Sequence, residues 1–281
     1  MHFINLNEKF FHAGEPVLKI NNRSFCYGDG LFETMRWHDG KIFYLDDHIS
    51  RLISGMKFLK MKIPGKFSVS FFLKQISMLI KKNKITGDAR IRLLVFRNEG
   101  GYYTPADNSV SFAITAEKSE TESYLFNKKG LRIDLFPETL KLKNPLSNFK
   151  TTNSSIYTLA GIYAKQNRLD DCLILNSDGN IADAVSSNIF IVKDKKIFTP
   201  PLSDGCMDGV MRKNILEICK KEQIQNKERS LSVDDVLSAD EIFLTNVIQG
   251  TRWVRLFRKK NYTNHFSKFL NTKIKSFAGR N

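Results

Sequence analysis

Cysteine is scarce in this sequence and widely scattered. Its four cysteines, Cys26, Cys172, Cys206 and Cys219, form no C-x-x-C pair, which argues against a zinc site or a disulfide framework and leaves buried thiols as the expectation. No metal is expected. The chain has no uninterrupted apolar run of about 18 residues and no basic-then-apolar leader at Met1. Neither a membrane span nor export is therefore expected, and the cytosol is the default compartment. Internal repeats and low-complexity stretches are missing as well. Acidic residues are in deficit: 29 Asp and Glu face 44 Lys and Arg, a formal charge of +15. Such a surplus suits small anionic ligands, nucleic acid or an anionic membrane surface. The lysines, however, fall in short runs such as Lys81, Lys82 and Lys84, or Lys193, Lys195 and Lys196. These lie beside apolar periodic segments, the pattern of solvated helix faces and turns. No nucleic-acid-binding motif accompanies them, so neither a nucleic-acid nor a membrane partner is expected.

What is present is apolar bulk. Of 281 residues 42% are hydrophobic, with 22 Phe spread over the length, enough for two modest cores. We expect one domain over residues 1–118 and a second over 125–281, with the polar run Glu117 to Ser123 as the boundary. In the first half, Phe3 to Ile20 reads as short strands with a turn at Ala13-Gly14-Glu15, and Leu31 to Trp37 with Lys41 to Tyr44 as a hairpin around Asp39-Gly40. Asp46 and Asp47 precede a helix over His48 to Met61, in which Ile49, Leu52, Ile53, Met56 and Leu59 recur at helical spacing. Ser68 to Lys82 predicts a second amphipathic helix. Ala89 to Phe96 and Ser109 to Thr115 alternate as strands.

In the second half, Leu131 to Phe136, Asp171 to Leu175, Ile189 to Val192 and Lys196 to Thr199 read as short strands, with turns at Asp178-Gly179 and Asp194-Lys195. Ser154 to Gln166 and Val210 to Lys221 read as helices, and Glu241 to Thr245 as a buried strand. Mixed segments of this kind predict an α+β fold: a small N-terminal sheet with two helices and a larger, strand-rich, barrel-like C-terminal domain.

Five blocks carry the chemistry. Arg23-Ser24-Phe25-Cys26-Tyr27-Gly28-Asp29-Gly30-Leu31-Phe32-Glu33-Thr34 is followed by His48-Ile49-Ser50-Arg51-Leu52 and by Asn148-Phe149-Lys150-Thr151-Thr152-Asn153. Then come Asp178-Gly179-Asn180-Ile181-Ala182-Asp183-Ala184-Val185-Ser186-Ser187-Asn188-Ile189-Phe190 and Asp208-Gly209-Val210-Met211-Arg212. In this order and at these intervals they resemble the signature segments of the class IV aminotransferases, the fold type IV pyridoxal phosphate enzymes. The resemblance runs through nearly the whole chain and implies a D-amino-acid aminotransferase-like fold, pyridoxal 5′-phosphate as cofactor and a homodimer.

Residue by residue, the resemblance makes Lys150, in a K-x-x-N setting, the lysine that forms a Schiff base with the cofactor. Its surroundings suit an amine that must be unprotonated part of the time: Phe149 precedes it, neutral Thr151, Thr152 and Asn153 follow it, and no carboxylate stands in its local sequence. The planar fork of Arg51 suits the cofactor phosphate. Gly209, Val210 and Met211 open a helix whose free N–H groups could meet the same dianion, and Thr245-Asn246 resembles a further phosphate-contacting turn. Asp183 takes the place of the pyridine-nitrogen carboxylate, where the family usually has the longer Glu.

The fold does not choose the reaction. L-branched-chain and D-amino-acid transaminases share it with 4-amino-4-deoxychorismate lyase, an enzyme of folate biosynthesis that releases pyruvate and 4-aminobenzoate. Gly100-Gly101-Tyr102-Tyr103 after Arg97, the segment from Thr199-Pro200-Pro201-Leu202 to Arg212, and Thr245-Asn246 lean toward the lyase. Arg97, Tyr102 and Tyr103 are the expected contacts to a small anionic amino substrate. A structural reading stands beside it, with Arg97 paired to Glu99.

Overall fold

The computed structural model describes residues 2–119 and 124–278. The chain divides into two compact units, one of Met1–Glu122 with Lys150–Asn153, the other of Ser123–Phe149 with Ser154–Arg280. Residues 120–123 of the polar run expected as the boundary lie outside the described residues.

The first unit holds β1 (Phe3–Leu6), β2 (Lys9–His12), α1 (Arg23–Tyr27), β3 (Gly30–His38), β4 (Lys41–Ile42), α2 (Leu45–Phe58), α3 (Val69–Lys82), β5 (Ala89–Arg97) and β6 (Val110–Lys118). Its strands form one antiparallel sheet in the order β2-β1-β6-β5-β3-β4. Helix α2 buries Leu45, His48, Ile49, Leu52 and Met56 on one face, as the helical spacing requires. It starts earlier than expected, so Asp46 and Asp47 lie in its first turn, where carboxylates favour the positive end of the helix dipole. Helix α3 opens with the Ser68 side chain accepting from Phe71 N at 3.2 Å. The N-terminal hairpin departs from expectation. Its turn is at Asn7 and Glu8, both at positive φ (49° and 72°), the conformation a tight hairpin demands, and no strand follows His12 before α1.

The second unit contains β7 (Leu131–Lys141), α4 (Ser155–Gln166), β8 (Asp171–Asn176), β9 (Ile181–Ala184), β10 (Asn188–Lys193), β11 (Lys196–Thr199), α5 (Val210–Lys221), β12 (Asn226–Glu228), α6 (Val233–Ser238), β13 (Glu241–Asn246), β14 (Gly250–Phe257), β15 (Lys260–Asn261) and α7 (His265–Ala278). The strands run β12-β11-β10-β13-β14-β7-β8-β9 in one curled sheet, with β15 beside β14. Leu131, Leu173, Ile189, Ile191, Leu244 and Val254 lie in its main core, and Phe190 stacks on Phe243 across β10 and β13 with ring centroids 5.1 Å apart. The α+β expectation, with a small sheet and a larger half-barrel, is therefore met. Strands β9 and β14 and helix α6 were not singled out in the sequence, because each is short or of mixed pattern and gains its stability from neighbours; helix α7, 14 residues long, was not singled out either.

Strand β7 has an irregular end. Its parallel register with β8 shifts between Phe136 and Lys141, and beyond the shift the usual order of burial is inverted. Leu140 and Leu142 are exposed (49% and 67%), while Lys141 between them is buried at 6%.

Candidate active site

In the first unit, the segment carrying Lys150 lies along the start of β3. Phe32 N donates to Lys150 O and Thr152 N to Gly30 O, both at 2.9 Å, and Leu31 and Thr151 form a bridge. The expectation assigned Lys150 to the second domain; these backbone bonds attach Lys150–Asn153 to the first unit instead. The Lys150 Nζ stands 4.4 Å from the centroid of the Phe32 ring, an apolar and polarizable neighbour for an amine. Gly28 is in the left-handed region (φ 65°), and a Cβ there would come within 3.3 Å of Asn153. Two blocks of the resemblance, far apart in sequence, thus meet in space.

Arg51 projects from α2 to Glu33 of β3. Its Nε donates to Glu33 Oε1 at 2.8 Å and its Nη2 to Oε2 at 2.5 Å, and His48 Nδ1 lies 2.6 Å from the same Oε2. Burial by itself would raise the Glu33 carboxyl, but the Arg51 charge and the His48 bond reverse this and hold it at about 2. Burial pushes the His48 imidazole below its usual range, against the pull of Glu33. One edge of the Arg51 guanidinium, its Nε and Nη2, is therefore committed to Glu33, which fixes its orientation.

Arg97 is occupied elsewhere. Its Nε donates to Asp29 at 2.9 Å and its Nη2 to Leu59 O at 2.7 Å, and Nη1 bonds Asn108. It is buried at 5%. Glu99, the partner weighed for it, pairs with Lys19. Arg97 thus pins the end of β5, a role that Asp29, shared with Arg23, completes. Tyr102 and Tyr103 are highly exposed (83% and 91%), on a turn in which a Cβ on Gly101 would lie 2.1 Å from Thr104 O.

In the second unit, Asp183 of β9 is the centre of a polar cluster. Its Oδ2 accepts from Lys141 Nζ at 2.6 Å, Tyr157 Oη at 3.1 Å and Met207 N at 3.1 Å. Its Oδ1 accepts from Asn188 Nδ2 at 3.2 Å, and Met207 N reaches it at 3.2 Å. Burial, followed by the Asp183 charge, pushes the Tyr157 hydroxyl well above its usual range, so Tyr157 remains a donor. The same two causes push the Cys206 thiol up to about 12.

Asn188 also donates to Met207 O at 2.8 Å, which ties Asp183 to the turn that opens α5. A Cβ on Gly209 would lie 1.9 Å from Asn188 Oδ1, so only glycine fits this N-cap. No side chain caps α5, and its first-turn N–H groups leave a positive dipole end. Val210 and Met211, buried at 4% and 1%, form that turn. Across the ladder from Asn188 stands Thr245, whose Oγ1 is buried without a hydrogen-bond partner. Asn246 turns back on its own loop, accepting from Ile248 N at 3.0 Å and Gln249 N at 2.9 Å.

Among the described residues no group of His, Cys, Asp and Glu could hold a metal, and no helix is long and apolar enough to cross a membrane. The family described as Amino-transferase class IV matches residues 30–257. The chain belongs to this family. Class IV aminotransferases depend on pyridoxal phosphate. The chain is 29% identical over 275 residues to a Rickettsia felis protein named probable branched-chain-amino-acid aminotransferase, covering 92% of each. To the aminodeoxychorismate lyase of Bacillus subtilis it is 29% identical over 252 residues, covering 87% of this chain and 83% of the relative. In fold it is similar to the branched-chain aminotransferase of Thermoproteus uzoniensis solved with norvaline (TM-score 0.90, 20% identity, 99% and 95% covered). It is also similar to a putative 4-amino-4-deoxychorismate lyase of Legionella pneumophila (TM-score 0.81, 24% identity, 93% and 97% covered).

The residues present fit the family's cofactor. An uncapped helix end on a glycine that admits no Cβ, with an orphaned buried hydroxyl on the strand packed against it, is the donor set a phosphate dianion takes. As a class IV aminotransferase, the chain has three residues bonded to the expected site residues that sequence reasoning did not single out. Glu33 and Asn188 stand within the quoted blocks, beside the residues they orient. Tyr157 is at helical spacing in α4 and carries no signal of its own.

Proposed function

We propose that the protein is a 4-amino-4-deoxychorismate lyase, releasing pyruvate and 4-aminobenzoate, and that it works as a cytosolic homodimer. The reading rests on the turn that presents Tyr102 and Tyr103. Gly101 lets that turn close, and each exposed ring offers a planar face with a polar hydroxyl, suited to an aromatic substrate. With Arg97 committed to Asp29 and Asn108, these tyrosines are the substrate contacts we retain.

Lys150 is the residue we assign to covalent cofactor attachment and to proton transfer. Backbone bonds to β3 fix its segment, and the Phe32 ring keeps bulk water from one side of the amine. Freed from the cofactor, that amine takes the α-proton of the substrate as general base; the C–O bond to the enolpyruvyl group then breaks as the ring becomes aromatic, and the Lys150 ammonium returns the proton to the departing enolpyruvate, which becomes pyruvate. Asp183 is assigned to the pyridine nitrogen. In the second unit the N–H groups of Val210 and Met211 and the Thr245 hydroxyl are assigned to the phosphate, with Asn246 shaping the adjoining turn; in the first unit the Arg51 guanidinium, backed by Glu33, is the cofactor-binding group that the family resemblance implies. When bound, the cofactor supplies the electron sink for the pair left on the α-carbon.

The Rickettsia relative, matched over a longer stretch at the same identity, supports a second reading as an amino-acid transaminase of the branched-chain or D-amino-acid type. Incubation with aminodeoxychorismate, beside a panel of amino acids with 2-oxoglutarate, separates the two. We expect pyruvate and 4-aminobenzoate in the first arm. Keto-acid exchange on the panel with no pyruvate from the chorismate derivative would replace the lyase by the transaminase.

A further inference from the structure

Lys141 is a charged residue whose burial the strand pattern does not require. Neighbouring residues of a strand face opposite ways, and between two exposed leucines a lysine would ordinarily point outward only if the leucines pointed in. Here the leucines face solvent and the lysine faces the interior. Removing an ammonium from water is strongly unfavourable without compensation, and the register shift in β7 is what turns Lys141 inward. Its compensation is specific. The Nζ donates to Asp183 Oδ2 at 2.6 Å and to Ser147 O at 3.1 Å, and it stands 5.3 Å from the ring centroid of Tyr157, itself a donor to the same Oδ2.

A carboxylate has about four lone-pair positions; Oδ2 accepts from Lys141, Tyr157 and Met207 N, whereas Oδ1 accepts, among the described residues, only from Asn188 and from the shared Met207 N–H, which leaves Oδ1 room for one further donor. The short, charge-assisted bond is on Oδ2; the bonds on Oδ1, at 3.2 Å, are the long ones. Asp183 is therefore a held and shared carboxylate.

We infer that Lys141 is a positioning residue for Asp183, holding its carboxylate in place and sharing its charge, so that the cofactor's ring nitrogen meets a carboxylate already partly neutralised. The inference rests on the assignment of Asp183 to the ring nitrogen. It also accounts for the short side chain at this position: the ammonium, rather than a longer carboxylate, fills the space beside it. With its charge divided, Asp183 holds a proton on the ring nitrogen less firmly than an unshared carboxylate would.

The test reads the ring directly, by the NMR chemical shift of an isotopically labelled pyridine nitrogen in reconstituted holoenzyme. Lys141→Gln keeps a neutral donor of similar reach and is expected to move the shift toward the protonated pyridine position. Lys141→Arg, which restores the charge, is expected to return it to the wild-type value. Asp183→Asn is expected to move the shift the opposite way. If Lys141→Gln leaves the wild-type shift while Asp183→Asn moves it, Asp183 is the ring partner and Lys141 is not its positioning residue. If Asp183→Asn leaves it too, the assignment of Asp183 itself fails. Melting of the cofactor-free variants, a readout independent of the ring, shows that each is folded.

Discussion

Asn188 Oδ1 occupies the position next to Gly209 that any larger residue would need: a Cβ there would lie 1.9 Å from it. The Asn188 amide cannot easily yield, because its Nδ2 holds both Asp183 and the Met207 carbonyl. Gly209 is thus required for close approach and not for an unusual φ, which is an ordinary −74°.

Gly209→Ala is accordingly expected to destabilise the protein by about 1–3 kcal/mol, the range for overpacking. It should also weaken cofactor binding, since Asn188 must leave Asp183 to make room. Thermal melting of the cofactor-free protein gives the first effect and a fluorescence titration with cofactor the second. Gly209→Ala with wild-type cofactor affinity would show that the Asn188 link does not matter for binding.

Lys150→Ala is expected to remove both turnover and the visible absorption band that borohydride bleaches in the wild-type holoenzyme, while leaving the melting temperature of the cofactor-free form near the wild-type value. Lys150 lies in a surface-reaching strap and not in the core. Any residual band in the variant would point to a different lysine.

The Glu33, His48 and Arg51 cluster sets an acid limit for the first unit. The Glu33 carboxyl is depressed from an ordinary 4.5 to about 2, so the stability it contributes is present above 4.5 and is lost as pH falls toward 2. His48 is also depressed from 6.5. Its contribution has the same sign, beginning to fall once the pH drops below that ordinary value. Stability should therefore decline on acidification, and Glu33→Gln should lower it at neutral pH by about 3–5 kcal/mol, as for a broken buried ion pair. Chemical denaturation between pH 2 and pH 7 checks both; an unchanged slope in Glu33→Gln would remove the cluster as the cause.

Asp171 predicts the opposite sign. Burial raises its carboxyl from 3.8 to about 6, although Val185 N and Cys172 N both donate to it. The folded chain thus binds a proton there more tightly than the unfolded one, and stability falls as pH rises through that window. Both bonds go to Oδ1, which Asn can also offer. Asp171→Asn is expected to flatten this part of the profile and to gain about 3 kcal/mol above pH 6, at about 1.4 kcal/mol for each tenfold change in proton affinity. Denaturation midpoints that track the wild type across the window would refute it.

Asp183→Glu restores the family's usual side chain but meets a filled site. Asp183 is 1% exposed, and every residue of β9 is buried. The extra methylene is expected to destabilise by about 1–3 kcal/mol and to lower cofactor affinity, because the carboxylate cannot keep Lys141, Tyr157 and Asn188 together. Tighter cofactor binding in the Glu variant would show that reach, and not crowding, limits this position.

Much of the chain was legible before folding. Helices α2, α3, α4 and α5 and the strands β3, β5, β8, β10 and β13 carry periodic apolar patterns, and local spacing is enough to give their type. The ordered blocks around Gly28, Arg51, Lys150, Asp183 and Gly209 pointed to the family, because those residues answer to chemistry that local sequence records. The pairings were decided only by the tertiary structure. Arg97 looked like a substrate group on a loop, and Asp29, far away in sequence, made it structural. The Lys150 segment, read as part of the second domain, joined β3 through backbone bonds. Lys141, between two leucines beyond the strand read over Leu131 to Phe136, became a buried partner of Asp183 because a register shift reversed its face. Period and side-chain chemistry are local, and sequence alone determines them. Which charge neutralises which depends on contacts closed across the fold, and no window of sequence contains both ends of such a contact.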